Sequence, residues 1–252
     1  TAPLVLALAA CGSDSEGSGG TSGGASSGEP IRVGVPTTLT GPLGIYGQMI
    51  QEGMEAGLHC STDGTNEVDG RPIEFVFEDD GGDAAKALTA ATGMVGDGIN
   101  IIAGTTSSGI SLQLGEFAEQ QDVLLITGAA GTDGLTGLNA NTFRSSRQAR
   151  QESAALASVL PEASGKVVVL AQDYAFGQGY VDTITEILGE DGAEVSSVLV
   201  PLDANEFTAY TQQVVQAQPD LLVVVYYGDT APAMWQSLAQ QGVLEQTEVA
   251  TL

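Results

Sequence analysis

The sequence predicts an α/β protein with parallel sheets covered by helices, divided into two lobes. Three observations carry this. From Ile31 onward, short β-branched runs alternate with amphipathic stretches of helix length, the signature of strand–helix–strand units. The runs VVVL (167–170) and LLVVVYY (221–227) are continuously apolar, as strands buried on both faces are. The alternation also restarts after about residue 145, with a fresh helix and then a strand at 166–172. Seven or more parallel strands is large for one open sheet, so two lobes are preferred to a single doubly wound sheet.

In chain order, residues 1–10 (TAPLVLALAA) form an apolar run too short to span a bilayer but of the length of a signal-peptide core. The run ends at Leu8-Ala9-Ala10-Cys11, which resembles a bacterial lipobox. Cys11 is therefore the expected lipid attachment site, and 1–11 a partial lipoprotein signal peptide whose Met and basic start would lie upstream. Residues 12–29 are rich in Gly and Ser with almost no apolar content, which predicts a disordered tether. The first lobe is assigned to 30–145 and the second to 146–252, with the C-terminal lobe incomplete. Strands are expected at 31–36, 73–79, 100–104, 123–127, 166–172, 194–200 and 220–227, and VATL (249–252) reads as the start of another. Helices are expected at about 45–60, 83–97, 108–121, 147–160, 176–190, 206–218 and 230–241. The segment TFRSSRQARQ (142–151), with three of the seven basic residues, is read as the crossover between lobes.

Composition narrows the function. With 32 acidic and 7 basic residues the formal charge is -25, which disfavours phosphate backbones and anionic headgroups; no nucleic-acid partner is expected. Neutral, zwitterionic and cationic small ligands stay open. The two cysteines, Cys11 and Cys60, and the single histidine, His59, do not make a metal-ligand pattern. His59 and Cys60 read as a partly buried helix end. No Gly-x-Ser-x-Gly elbow occurs, no lysine follows a glycine-rich loop, and His59 has no serine motif to serve. The acidic run Glu78-Asp79-Asp80 reads as a solvated turn at a strand end. An enzyme is not expected, and neither a cofactor nor a metal is called for.

Open α/β sheets bind ligands beyond the carboxyl ends of their strands. Four such loops here are rich in small hydrogen-bonding residues: 37–48, 105–109, 128–133 and 173–179. Ser107 and Ser108 stand at a helix start, where a hydroxyl either caps the helix or helps hold a carboxylate. Tyr46, Tyr174, Phe176, Tyr226 and Tyr227 all fall at or near loop mouths, and aromatics make up only 5% of the chain. Their placement suggests aromatic walls around one small-ligand cleft.

The string IRVGVPTTLTGPLGIYGQMIQEGMEAG resembles the opening of leucine/isoleucine/valine-type periplasmic binding proteins. The similarity continues through EFVFEDDGGDAAKA, IIAGTTSSGISLQLGEFAEQQDVLLITGAAGTD, VVVLAQDYAFGQGYVD and DLLVVVYYGD. The resemblance implies the type I fold of that family, two Rossmann-like lobes joined by a hinge and closing on a ligand. It implies that Tyr46 lines the cleft, Ser108 holds a ligand α-carboxylate, and the backbone at Ala129 meets an α-ammonium. Phe176 would cover the ligand from the second lobe, with Tyr226 or Tyr227 as a further contact. Gly131 stands where leucine binders commonly carry a threonine, and Thr132 follows it; the family's acidic anchor for the ammonium falls beyond residue 252. The function implied is capture of a branched-chain or other amino acid, an amide or another small polar solute for an ABC importer. The implied partners are permease and ATPase subunits, with a lipid anchor on the outer face of the cell membrane or a periplasmic location. A ligand-sensing receptor domain of the same fold is the alternative, and an extracytoplasmic α/β enzyme a weaker one.

Overall fold

The computed structural model describes residues 28–160 and 165–252; the predicted lipid site at Cys11 and most of the predicted tether lie outside them. The first lobe contains β1 (Ile31–Thr37), α1 (Gly44–Ser61), β2 (Glu67–Val68), β3 (Arg71–Asp79), α2 (Ala84–Gly96), β4 (Ile101–Ala103), α3 (Ser108–Gln121), β5 (Leu124–Thr127) and β6 (Thr142–Arg144). The second contains α4 (Ala149–Val159), β7 (Gly165–Gln172), α5 (Ala175–Glu190), β8 (Ala193–Val200), α6 (Thr208–Ala217), β9 (Leu221–Val225), α7 (Ala231–Gln240), α8 (Val243–Gln246) and β10 (Glu248–Thr251). Two sheets result, ordered β2-β3-β1-β4-β5-β6 and β10-β9-β7-β8. All pairings are parallel except the short β2–β3 hairpin.

Each sheet is covered on both faces. In the second, Val167 and Val169 face one cluster with Tyr180, Ile184 and Leu188, while Val168 and Leu170 face another with Val214, Met234 and Leu238. The period of two along β7 sends successive side chains to opposite faces, which is why its sequence is apolar throughout. On α5 the buried residues Phe176, Tyr180, Ile184 and Leu188 recur every fourth position and form one stripe. Burying each such side chain contributes roughly 1.5–3 kcal/mol. Asp83 caps α2, its carboxylate accepting from the N–H groups of Ala85 (2.8 Å) and Lys86 (3.1 Å).

Three segments differ from the sequence reading. Thr142–Arg144, read only as crossover, first completes the sheet edge as β6, pairing Phe143 with Ile126. A three-residue strand is too short to show a period. The acidic run is a solvated turn only in part: Glu78 and Asp79 are exposed, but Asp80 is buried and both aspartates are hydrogen-bonded. Asp79 accepts from the N–H groups of Leu39 (2.8 Å) and Gly81 (2.9 Å) and from the Thr40 hydroxyl (2.6 Å). Asp80 is 1% exposed and takes the Thr38 hydroxyl at 2.7 Å. The two carboxylates pin the loop after β1, a bond across about forty residues that sequence proximity could not reveal. Last, His59 and Cys60 are exposed rather than partly buried. Among the described residues no helix is long and apolar enough to cross a membrane.

Candidate functional site

The strand orders fix where a site can form. In the first sheet the chain leaves β1 toward β3 on one side and β4 on the other; in the second it leaves β7 toward β8 and β9. At such a reversal the loops diverge and open a crevice at the carboxyl ends of the strands. The loops after β1, β4, β7 and β9 therefore face the crevice, and the two lobes bring them together.

A cavity of about 280 Å³ lies there. The first lobe lines it with Leu43, Tyr46, Thr106 and Ala129, the second with Arg147, Tyr174, Phe176 and Tyr227. Local geometry puts each in place. Gly47 lets α1 begin hard against the loop before it: a Cβ there would lie 1.8 Å from the Thr38 carbonyl oxygen. Gly177 does the same in the second lobe, 2.0 Å from the Gln172 carbonyl oxygen. Tyr46 and Phe176 each precede one of these glycines and so sit at the crevice mouth. Phe176 stacks on Tyr174 (5.8 Å between centroids) and meets Tyr227 edge-on (5.8 Å). Burial, reinforced by nearby Tyr46, raises the Tyr174 pKa, so this hydroxyl stays neutral. Burial likewise raises Tyr227, with Arg147 opposing.

The lobes also meet through backbone. The Asp229 N–H donates to the Pro42 carbonyl at 3.1 Å. Gly228, at φ +93°, makes that approach possible; a Cβ would lie 2.3 Å from the same oxygen.

Ser107 and Ser108 behave in a way that bears on their two readings. Ser107 is the N-cap of α3, yet its side chain makes no capping hydrogen bond. Ser108 is 1% exposed, and its Oγ has no hydrogen-bond partner. A buried unpaired hydroxyl costs free energy, so it asks for an explanation. Beside it, Thr106 shares a hydrogen bond with Thr37 (2.7 Å) and Thr105 with Ser111 (2.5 Å). The free N–H groups of the first turn of α3 and an unspent hydroxyl make a site suited to a carboxylate.

The remaining sequence candidates divide. Tyr46, Ala129, Phe176 and Tyr227 line the cavity. Gly131 stands behind it: a Cβ would lie 2.9 Å from the Phe176 ring. Thr132 starts a 3-10 turn, its Oγ1 accepting from Gly134 N–H at 3.4 Å, and its carbonyl takes Arg144 Nη1 at 2.9 Å. Tyr226 is a correction. The strand stops at Val225, and alternation turns Tyr226 into the opposite core, against Phe207 and with its hydroxyl 3.0 Å from Thr230 Oγ1. It lines a neighbouring groove together with Trp235 and with Tyr46 and Tyr227, which the groove shares with the cavity.

Arg147 was not among the sequence candidates. Its Nε pairs with Glu152 Oε1 at 2.5 Å, the other Glu152 oxygen accepts the Tyr180 hydroxyl, and its guanidinium lies 5.9 Å from the Tyr227 ring centroid. Burial works to lower its pKa, but the hydrogen bond and charge of Glu152 outweigh burial and raise it, so the group is cationic at any ordinary pH. The signal that could have found it was present: three arginines clustered at the lobe junction of a strongly acidic chain.

Comparison with known proteins agrees with this architecture. The family described as periplasmic binding protein matches residues 30–252. A Leu/Ile/Val-binding protein homolog 2 from Brucella abortus (strain 2308) is 29% identical over 225 residues, 86% of this chain and 59% of that protein. The chain thus spans about three-fifths of the length of that curated relative. A solute-binding protein of an ABC transporter from Rhodopseudomonas palustris BisB5, solved with 3,4-dihydroxy benzoic acid, is 26% identical. It superposes with TM-score 0.77 over 88% of this chain and 61% of its own. An ABC-type branched-chain amino acid transporter structure from Rhodopseudomonas palustris CGA009 is 29% identical at TM-score 0.64, over 88% and 62%. With a family match across nearly every described residue and two crevice-sharing lobes of its architecture, the chain belongs to the periplasmic binding protein family.

Proposed function

We propose that the protein is the extracytoplasmic solute receptor of an ABC importer and that it captures a small carboxylate-bearing solute between its lobes. The observation that carries this reading is the buried, partnerless Ser108 hydroxyl at the start of α3, two residues along the chain from Thr106, which lines a cavity walled by both lobes. The relatives bracket the ligand: one is named for leucine, isoleucine and valine, another was solved with a dihydroxybenzoic acid. Both ligand types carry a carboxylate and an apolar body, and the Tyr46, Tyr174, Phe176 and Tyr227 walls suit such a body. Binding would hold the lobes closed, and the closed form would be the one offered to permease and ATPase subunits. Cys11 would carry the lipid that keeps the receptor at the outer face of the membrane. The family serves transport rather than catalysis.

The test is a thermal-shift panel of amino acids, amides and aromatic and aliphatic acids against the full-length protein. A true ligand at a hundred times its Kd adds about 2.7 kcal/mol of stability. Stabilisation by carboxylates supports the reading; stabilisation by amides alone, or by nothing in the panel, contradicts it.

A further inference from the structure

We infer that Glu152 is a positioning residue of the cleft: backed by the buried Tyr180, it sets the Arg147 guanidinium at the cavity wall, where that charge meets the carboxylate of the solute. The inference rests on the proposed binding function and adds to it the residues that hold a second-lobe contact in place.

Arg147 lines the cavity from the segment between β6 and α4, where the chain passes from the first lobe to the second. It is held at both ends. Its backbone is tied to the first lobe through Arg144. Arg144 Nη2 donates to the Arg147 carbonyl at 2.7 Å and to the Ala130 carbonyl at 3.0 Å, while Nη1 donates to the Thr132 carbonyl at 2.9 Å. The loop that carries Ala129 and the segment that carries Arg147 are thereby joined. The Arg147 side chain is tied instead to the second lobe. Its Nε donates to Glu152 Oε1 at 2.5 Å, and the other Glu152 oxygen accepts the Tyr180 hydroxyl. Tyr180 is 0% exposed, so it serves as a fixed post in the core. The guanidinium also hydrogen-bonds the hydroxyls of Tyr180 and Tyr227, which opposes the rise in pKa that burial imposes on both phenols. Tyr227, another cavity residue, is fixed in its turn. Its N–H and its carbonyl meet the buried Gln172 side chain at 3.3 and 2.8 Å.

Holding the arginine matters because its side chain is long. An arginine that becomes ordered only when a ligand arrives loses rotamer freedom at that moment, which weakens binding about three-fold to ten-fold. Glu152 and Tyr180 order it beforehand. Glu152 also has a purely structural reading, since an acid in the first turn of α4 suits the helix dipole. In that case it would stabilise the fold and leave the cleft alone.

Titration calorimetry on the full-length protein, with leucine, valine, benzoate and 3,4-dihydroxybenzoate as probes, separates the two. In Arg147→Gln the probe that binds should weaken about ten-fold or more, through loss of the facing charge. In Glu152→Gln, which keeps the size of the side chain, it should weaken about three-fold to ten-fold. In the double variant Glu152→Gln should take away nothing beyond the effect of Arg147→Gln, because the arginine through which it acts is gone. Melting curves report folding. If Glu152→Gln does not fold, Tyr180→Phe, which keeps the ring and removes the hydroxyl that backs Glu152, takes its place with the same expectation. In arginine-labelled, unliganded protein the Arg147 Nε–H resonance should be protected from exchange with water in the wild type and lose that protection in Glu152→Gln. Unchanged affinity in folded Arg147→Gln or Glu152→Gln, with or without a lowered melting temperature, would overturn the inference and leave the binding function standing. So would losses that simply add in the double variant, or an Nε–H that exchanges equally fast in both proteins. No binding by any of the four probes would overturn the binding function and the inference with it.

Discussion

Ser108→Ala separates a ligand anchor from a helix cap through two measurements of opposite sign. In the free protein the Ser108 Oγ is buried and unpaired. Leaving a buried hydroxyl unsatisfied costs about 1–3 kcal/mol. Truncating the side chain to a methyl group removes that penalty, so a gain of about 1 kcal/mol is expected, at the low end of that range. For a chain of this size 1 kcal/mol corresponds to roughly 2–4 °C in the melting temperature. The ligand should respond the other way. A hydrogen bond to a charged carboxylate is worth about 1.5–3 kcal/mol, so the variant should bind between about ten-fold and a hundred-fold more weakly. Binding should persist, because the backbone N–H groups at the start of α3 and the helix dipole remain. If the hydroxyl were a cap, its loss would lower stability by about 1 kcal/mol and leave affinity alone. Melting curves without ligand and calorimetry with it, on the same full-length preparations, give both numbers. A lowered melting temperature with unchanged affinity would refute the anchor.

Other expectations follow from single features. Gly228→Ala puts a Cβ 2.3 Å from the Pro42 carbonyl oxygen, at φ +93°, so it should resist lobe closure and weaken ligand binding about ten-fold or more; calorimetry showing unchanged affinity would contradict a closure role for that contact. Burial raises the pKa of Asp80 above its ordinary value of 3.8, against the opposing bonds from Thr38 and Gly82, so the stability it contributes is full below that value and is lost as pH rises through the native one. Asp80→Asn should therefore gain on the wild type between acid and neutral pH, read as urea midpoints; a gap that does not change with pH would contradict this. Cys11→Ser should abolish incorporation of labelled palmitate in cells, and incorporation that persists would place the anchor elsewhere.

The α/β architecture was legible because it is written in local patterns. The continuous apolar run of β7 and the every-fourth-residue stripe of α5 state burial on two faces and on one face respectively. The aromatic cleft was partly legible for a similar reason: Tyr46 and Phe176 each precede a glycine that marks a close approach of helix to loop. Long-range features were not. Asp79 and Asp80 meet Thr38, Leu39 and Thr40 across about forty residues, and their sequence shows only three acids in a row. Tyr226 and Tyr227 look equivalent in sequence, yet the strand end at Val225 sends one to the core and the other to the cleft. Arg147 carried a faint signal, an arginine cluster, and its role depends on Glu152 and Tyr180 meeting it in space.

The central claim is that one ligand touches both lobes at once. Hydrogen exchange of the full-length protein, with and without the best-stabilising acid from the panel, tests it most directly. The account predicts slowed exchange at the start of α3 (105–111) and at 129–132 in the first lobe, together with 147–152, 174–180 and 226–230 in the second. Protection confined to one lobe, or lying away from these loops, would contradict it.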